Sequence, residues 1–292
     1  MNLFSGFEKT VRRDEPLAMH TWFQLGGPAE YFAEPENVDE LIALVRRSAE
    51  NNLPVRMLGR GSNLLVADKG VSGLVISLSS SEFRKITVDG STLTAGGGTR
   101  LGRVVTTSAH RGLAGLEGLV AIPGTVGGAL HGNAGTLTTD IGQWTSHATV
   151  ITAMGDTFHR DRDDMSFGYR HSSLDELVVL EASFKLEEDD PEELSKRLQK
   201  QWILRKAGQP MGHQCAGCVF KNPRGMRAGE LIEQAGLKGT RIGGAVVSDR
   251  HANFIIAEPE CTSADVLRLI DLVRVQVADR LGVDLEVELD IW

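Results

Sequence analysis

Residues 112–135, GLAGLEGLVAIPGTVGGALHGNAG, carry eight of the chain's 33 glycines in 24 of its 292 residues. A glycine in an ordered element costs about 0.5–1 kcal/mol relative to alanine, so this density implies repeated positive φ or backbone lying close to something else. A phosphate-bearing cofactor is the expected neighbour. The net charge of −8 and the lack of any Lys/Arg-rich run argue against nucleic acid or an anionic membrane as partner and favour a small molecule. With 41% apolar and 24% charged residues the chain reads as globular, with room for two or three domains. No apolar run approaches the about 18 residues of a membrane span, and the start MNLFSGFEKTVRR has no signal-peptide core, so a cytoplasmic protein is expected. Three cysteines do not make a secreted disulfide framework, and reduced thiols are expected.

The first third reads as a compact α/β unit. Asn37 and Glu40 have capping-box spacing, and Val38, Leu41, Ile42 and Val45 recur at helical spacing until Asn51-Asn52. Residues 55–58, 64–66 and 74–78 read as strands, with Gly59-Arg60-Gly61-Ser62-Asn63 between the first two. That loop can be an anion cradle of converging N–H groups or simply a tight turn; it is neither a G-x-G-x-x-G fingerprint nor a P-loop. Hairpins are expected at Asp89-Gly90 and Gly155-Asp156, a helix over 101–111 and a strand over 178–184. The acidic run 187–193, interrupted by Pro191, reads as a solvated linker into a helix reaching Arg205. In the last third, a short helix over 229–235 ends at Gly236, strands are expected at 243–247 and 253–256, and Val266, Ile270, Val273, Val277 and Leu281 mark one face of a long helix. Residues 284–291 alternate strictly, which predicts a strand with Leu285, Val287, Leu289 and Ile291 on one face and four carboxylates on a free face.

Taken together, Thr21-Trp-Phe-Gln-Leu-Gly-Gly-Pro-Ala29, Gly59-Arg-Gly-Ser-Asn-Leu-Leu-Val66, Ile122-Pro-Gly-Thr-Val-Gly-Gly-Ala129, Gly168-Tyr-Arg-His-Ser172, Gly217-Cys-Val-Phe-Lys-Asn-Pro223, Ala235-Gly-Leu-Lys-Gly239 and His251-Ala-Asn-Phe254 resemble the successive signatures of the UDP-N-acetylenolpyruvoylglucosamine reductases (MurB). The match runs in order along nearly the whole chain. The short span between Tyr169 and Glu193 leaves no room for an extra folded insertion, which is similar to the compact, type II-like branch.

The resemblance implies an α+β fold: an FAD-binding module of the vanillyl-alcohol-oxidase (PCMH) type in two subdomains, 1–82 and 83–200, and a C-terminal α/β substrate-binding domain, 201–292. It implies non-covalent FAD, NADPH as reductant, and reduction of UDP-N-acetylglucosamine enolpyruvate to UDP-N-acetylmuramate for peptidoglycan, with the flavin carrying the hydride. Gly59, Arg60, Gly61, Ser62, Asn63, Leu64, Ile122, Pro123, Gly124, Thr125, Gly127, Gly128, Asn133, Ala134 and Gly135 would enclose the cofactor, Ser62 and Asn63 adding side-chain donors. Hydride delivery to the terminal vinyl carbon drives negative charge into the substrate carboxylate, so a cation belongs there and an acid at the adjacent carbon. By resemblance Arg170 and Glu288 sit at that carboxylate, although Arg170 taken alone reads as a surface ion-pair residue. Cys218 stands where most members have serine; a thiol, with an ordinary pKa of about 8.5, is a far stronger acid than an alcohol and is expected to be the proton donor. Tyr169, Lys221, Asn222 and His251 match positions near the substrate.

Other readings of the same residues stay open. Cys215 and Cys218 with His213 and Cys261 lack the second close-spaced pair of a zinc knuckle, and no metal is expected. A disulfide between Cys215 and Cys218 would silence the proton donor. An FAD oxidase of the same fold would need a covalent attachment residue, for which His131 is the nearest candidate, and a non-catalytic nucleotide-sugar binder would keep only the scaffold.

Overall fold

The computed structural model describes residues 3–136 and 138–292. Backbone contacts divide the chain into two compact units: Met1–Asp14, Glu30–Gly59 and Ser72–Leu204 form the first, and Glu15–Ala29, Arg60–Val71 and Arg205–Trp292 the second. Two segments from the expected 1–82 span thus pack with the C-terminal residues. The cause is pairing and burial. Leu64–Leu65 runs parallel to Asp290–Ile291, the Ala67 N–H donates to the Trp292 carbonyl at 2.7 Å, and Phe23 and Leu65 are buried in the C-terminal apolar core.

In the first unit a four-stranded sheet has the order Val11–Pro16, Pro28–Ala33, Val71–Ile76, Val55–Met57. Helix α1, Val38–Glu50, buries Leu41, Leu44 and Val45 in a core that includes Leu74, Ile76 and Phe83. Asn37 caps α1 as its spacing predicts, accepting from the Glu40 N–H at 2.9 Å. The reciprocal half of the box is displaced by one residue: the Glu40 carboxylate takes the Glu36 N–H at 2.7 Å and the Thr10 hydroxyl.

A five-stranded antiparallel sheet follows, in the order Thr157–Asp161, Thr145–Ile151, Val178–Lys185, Thr92–Gly96, Ile86–Asp89. The Asp89-Gly90 hairpin forms as expected, with Asp89 opposite Thr92. The second hairpin is wider than the Gly155-Asp156 signal predicts, because pairing stops at Ile151 and Thr157. Helix α2, Leu101–His110, and the one-and-a-half-turn helix α3, Val126–His131, bury their apolar residues in the same core. The acidic run is partly structured. Glu187–Glu188 pairs antiparallel with Leu113–Ala114, and Pro191 opens helix α4, Pro191–Gly208, the first-turn position where its missing N–H is harmless.

In the second unit, strands Arg241–Ile242, Ala245–Val247 and Ile255–Ala257 form an antiparallel sheet packed with α5, Ala228–Gln234, and α6, Ser263–Leu281. Thr262 and Asp265 make a capping box at the start of α6, and Gly282 closes it at φ 67°. The C-terminal segment departs from the single expected ladder. Phe220 bridges Val287, while only Asp290–Ile291 forms the parallel pair with Leu64–Leu65. Leu285 and Leu289 are buried as the alternation predicts, yet Ile291 is 45% exposed.

Candidate functional site

In the first unit the glycine-rich segment folds as a turn, then α3, then a second turn. Thr125 caps α3 through its hydroxyl, 3.4 Å from the Gly128 N–H, and a Cβ on Gly59 would lie 3.0 Å from that same hydroxyl. The loop end at Gly59 and the segment 122–135 are therefore neighbours. Packing explains several of the glycines. A Cβ on Gly115 would strike the Trp144 ring at 2.6 Å, and one on Gly135 would strike Asp140 at 2.6 Å. A Cβ on Gly127 would lie 3.3 Å from the Gly97 carbonyl, a tight but lesser constraint. Gly128 differs: it is exposed, and a Cβ there would meet nothing closer than 3.6 Å. The N–H groups of Val126 and Gly127 donate to the Thr99 and Gly97 carbonyls, which leaves Gly128 as the exposed glycine of α3. Pro123 and Gly124 form the entry turn, the Gly124 carbonyl accepting from the Leu101 N–H at 3.1 Å, and Ile122 and Ala134 pack half-buried against the sheet core.

Asn133 links this segment to Arg170. Its Nδ2 donates to the Gly168 carbonyl at 2.8 Å and its Oδ1 accepts from the Gly142 N–H at 3.0 Å. Gly168 belongs to the small hairpin Phe167–Gly168 and His171–Ser172, whose tip is Tyr169 and Arg170. The Ser172 hydroxyl ties the other strand to the His131 carbonyl at 3.1 Å. Arg170 holds φ 54°, a turn position that glycine fills more easily, and its guanidinium lies 5.1 Å from the exposed Tyr169 ring. Ala121 and Asn133 are also left-handed, at φ 61° and 40°. Such strain persists where surrounding structure over-determines it, commonly at binding sites. His131 is exposed, with Nδ1 3.2 Å from the Leu174 carbonyl.

In the second unit the loop 61–63 has an asymmetric hydrogen-bond pattern. The Gly61, Ser62 and Asn63 carbonyls accept from the N–H groups of Trp22, Gly217 and Asp290 at 3.0, 2.9 and 3.0 Å. Among the described residues the N–H groups of Gly61, Ser62 and Asn63 have no acceptor. Gly61 sits at φ 58°, and a Cβ on it would collide with the His20 carbonyl at 2.3 Å. A turn with a left-handed residue and consecutive N–H groups left without an acceptor has the form of an anion-binding nest. Arg60 is half-buried and Leu64 buried beside it.

The same unit brings Cys218 near Glu288 along the backbone. Residues 219–221 lie antiparallel to 286–288: the Glu288 N–H donates to the Val219 carbonyl at 2.8 Å and the Lys221 N–H to the Glu286 carbonyl at 2.8 Å. Lys221 Nζ donates to Glu286 Oε1 at 2.6 Å, and Asn63 Nδ2 to the Glu288 carbonyl at 3.0 Å. Cys218 and Glu288 are both half-buried. Asn222 Oδ1 accepts from the Ala228 N–H at 3.0 Å, capping α5. Burial, assisted by the Lys238 charge, holds the His251 imidazole below the usual histidine range, and its Nδ1 accepts from the Asn253 N–H at 3.3 Å. The cysteines are free thiols; Cys215 is 5% exposed and burial pushes it up to about 11. Among the described residues no group of three His, Cys, Asp or Glu side chains could hold a metal, and no helix is long and apolar enough to cross a membrane.

Two contributors escape the sequence reading of single sites. Asn253 is buried and brackets Phe220, accepting from its N–H at 2.9 Å and donating to its carbonyl at 2.8 Å, which pins the segment that follows Cys218. A polar amide inside the apolar stretch 252–256 is the available signal. Glu286 pairs with Lys221 but, at 72% side-chain exposure, carries no signal of its own beyond the alternation.

Residues 209–292 match the family model described as UDP-N-acetylenolpyruvoylglucosamine reductase, C-terminal domain, and residues 29–160 match that of an FAD binding domain. The chain is 46% identical over 284 residues to UDP-N-acetylenolpyruvoylglucosamine reductase 2 of Symbiobacterium thermophilum, covering 97% of this chain and 92% of that one. It is 40% identical over 291 residues to the reductase of Moorella thermoacetica, covering 99% and 96%. The crystal structure of UDP-N-acetylenolpyruvylglucosamine reductase (MurB) from Thermus caldophilus superposes with a TM-score of 0.83 at 37% identity, covering 97% of this chain and 98% of that chain. A Phl p 4 variant, a glucose oxidase, aligns with a TM-score of 0.50 at 15% identity, covering 63% of this chain and 42% of that chain, a likeness of fold alone.

Proposed function

The chain belongs to the UDP-N-acetylenolpyruvoylglucosamine reductase family, FAD-containing oxidoreductases, and from that premise we propose that it uses NADPH to reduce UDP-N-acetylglucosamine enolpyruvate to UDP-N-acetylmuramate, with Cys218 as proton donor. Its fold is the α+β FAD-binding module shared with PCMH-type oxidases, followed by the family's C-terminal domain. The work belongs to peptidoglycan precursor synthesis in the cytoplasm.

The donor set fits a diphosphate-bearing cofactor. Free N–H groups at 61–63 can neutralise phosphate charge without lysines, and Gly128 leaves room for a flat ligand to approach backbone. Bound through these residues, FAD would supply the hydride that NADPH delivers to it. The chain's own side chains would then manage charge and the proton. Arg170, presented at a hairpin tip, has the planar fork that matches a carboxylate. Glu288 would act there either as a neutral acid donating a hydrogen bond to that carboxylate or by setting the arginine that holds it. Cys218 Sγ–H would protonate the carbon next to it, and the resulting thiolate would recover a proton from water. Lys221, already oriented by Glu286, would offer a positive charge to a phosphate or to the developing enolate. Neutral His251 would present a hydrogen-bonding ring without adding charge.

The main support for the proton assignment is the antiparallel contact of 219–221 with 286–288, which sets the residues after Cys218 against Glu288. Denaturing the purified protein tests the cofactor half: free yellow flavin in the supernatant is expected, whereas flavin that stays with the polypeptide would point to an oxidase linked through His131. The reductase reading further requires that the NADPH-reduced enzyme be reoxidised by the enolpyruvyl substrate without oxygen. Reoxidation by oxygen alone would contradict it.

A further inference from the structure

We propose that Asn63 is a positioning residue for Glu288 and that its side chain is not a ligand of the flavin; the proposal rests on the role given to Glu288 above. Asn63 contacts the C-terminal segment at two points two residues apart. Its carbonyl accepts from the Asp290 N–H at 3.0 Å and its Nδ2 donates to the Glu288 carbonyl at 3.0 Å. The parallel ladder that pairs Leu64 with Asp290 and Leu65 with Ile291 would otherwise end there. The amide side chain extends it by one rung, doing what a main-chain N–H would do in a longer strand.

Glu288 is held from its other side as well, since its N–H donates to the Val219 carbonyl at 2.8 Å. Both polar groups of its main chain are therefore fixed, one by the segment following Cys218 and one by Asn63. The loop also reaches the thiol segment directly, because the Ser62 carbonyl accepts from the N–H of Gly217, the residue before Cys218. Consecutive residues of one loop thus hold the two segments that carry the proposed acid and carboxylate. Asparagine suits the position. Aspartate would set a carboxylate oxygen against a carbonyl, and alanine would leave the Glu288 carbonyl to water. Asn63 lies at an exposed loop tip, where a single hydrogen bond adds only modestly to folding, so its value lies in geometry.

The test compares Asn63→Ala and the uncharged, near-isosteric Asn63→Leu, neither of which can donate to the Glu288 carbonyl, with the parent enzyme, all loaded with FAD. Flavin dissociation, reduction by NADPH and reoxidation by the enolpyruvyl substrate are measured separately, the last across pH. The expected result is flavin binding and reduction within about threefold of the parent, with reoxidation slowed by about tenfold or more and its pH profile displaced, as a misplacement near the chemistry produces. Weakened flavin binding with normal reoxidation in flavin-saturated variants would overturn the proposal, as would equal slowing of both half-reactions. Should the alanine variant not fold, the leucine variant decides. If the parent enzyme itself is not reoxidised by the substrate, the role of Glu288 fails and the proposal with it.

Discussion

The side-chain amide of Asn133 donates to the Gly168 carbonyl at 2.8 Å, so a buried residue, 2% exposed, at the end of the glycine-rich segment holds the hairpin that presents Arg170. Its Oδ1 simultaneously satisfies the Gly142 N–H at 3.0 Å, tying in the turn Ile141–Gln143. Two parts of the candidate site in the first unit are therefore one mechanical piece.

Asn133→Ala should leave the Gly142 N–H buried without a partner and free the hairpin. A loss of about 1–3 kcal/mol in urea unfolding is expected, together with weaker substrate saturation at an unchanged rate of flavin reduction. A change within about 0.5 kcal/mol would mean that the amide carries no structural load.

Gly128→Ala separates a ligand wall from a packing requirement. The added methyl meets nothing inside 3.6 Å and raises helix propensity, so the flavin-free protein should gain about 0.4–1 kcal/mol while FAD binding weakens severalfold. Titration of apoprotein with FAD measures the second effect. Unchanged affinity would remove Gly128 from the cofactor wall.

His251 should leave a signature in the pH dependence of stability. Because burial lowers its pKa in the folded protein, the unfolded chain takes up the proton first, and stability falls as pH drops below about 6.5 until the lowered folded value is passed. The urea midpoint of His251→Gln should therefore decline less between about pH 7.5 and 5.5 than that of the parent. Parallel declines would show that His251 is not the group responsible.

Local signals were legible where local chemistry decides. The Asn37 cap, the Asp89-Gly90 hairpin and the apolar face of α6 each rest on spacing within one element, and each appears where the spacing predicts. The glycine-rich segment was harder to read, because density alone does not distinguish Gly115, pressed against the Trp144 ring, from Gly128, where an added Cβ would meet only ordinary contact. Alternation over 284–291 does not reveal that one end pairs with 219–221 and the other with Leu64–Leu65, since both partners are remote in sequence. The same is true of the division into units, where Leu64 and Leu65 are drawn to the C-terminal residues by pairing with Asp290 and Ile291. For Asn63 the residue type suggested a donor; only the fold identifies the Glu288 carbonyl as an acceptor.

Cys215 and Cys218 should differ in reactivity despite their spacing. Burial pushes Cys215 up to about 11, so at neutral pH it stays a thiol and should resist iodoacetamide in the native protein, while half-buried Cys218 is labelled first. Peptide mapping after brief alkylation reads the order directly. Equal labelling of the two would contradict the burial of Cys215.

The most direct test of the account is anaerobic stopped-flow on Cys218→Ala and Cys218→Ser, with flavin absorbance followed in each half-reaction. Reduction by NADPH should proceed normally in both variants. Reoxidation by the enolpyruvyl substrate should persist with serine and fall by a factor of about 10²–10⁴ with alanine, the usual contribution of a general acid. Equal loss of both half-reactions in the alanine variant, or unimpaired reoxidation, would contradict the assignment of Cys218 as the proton donor.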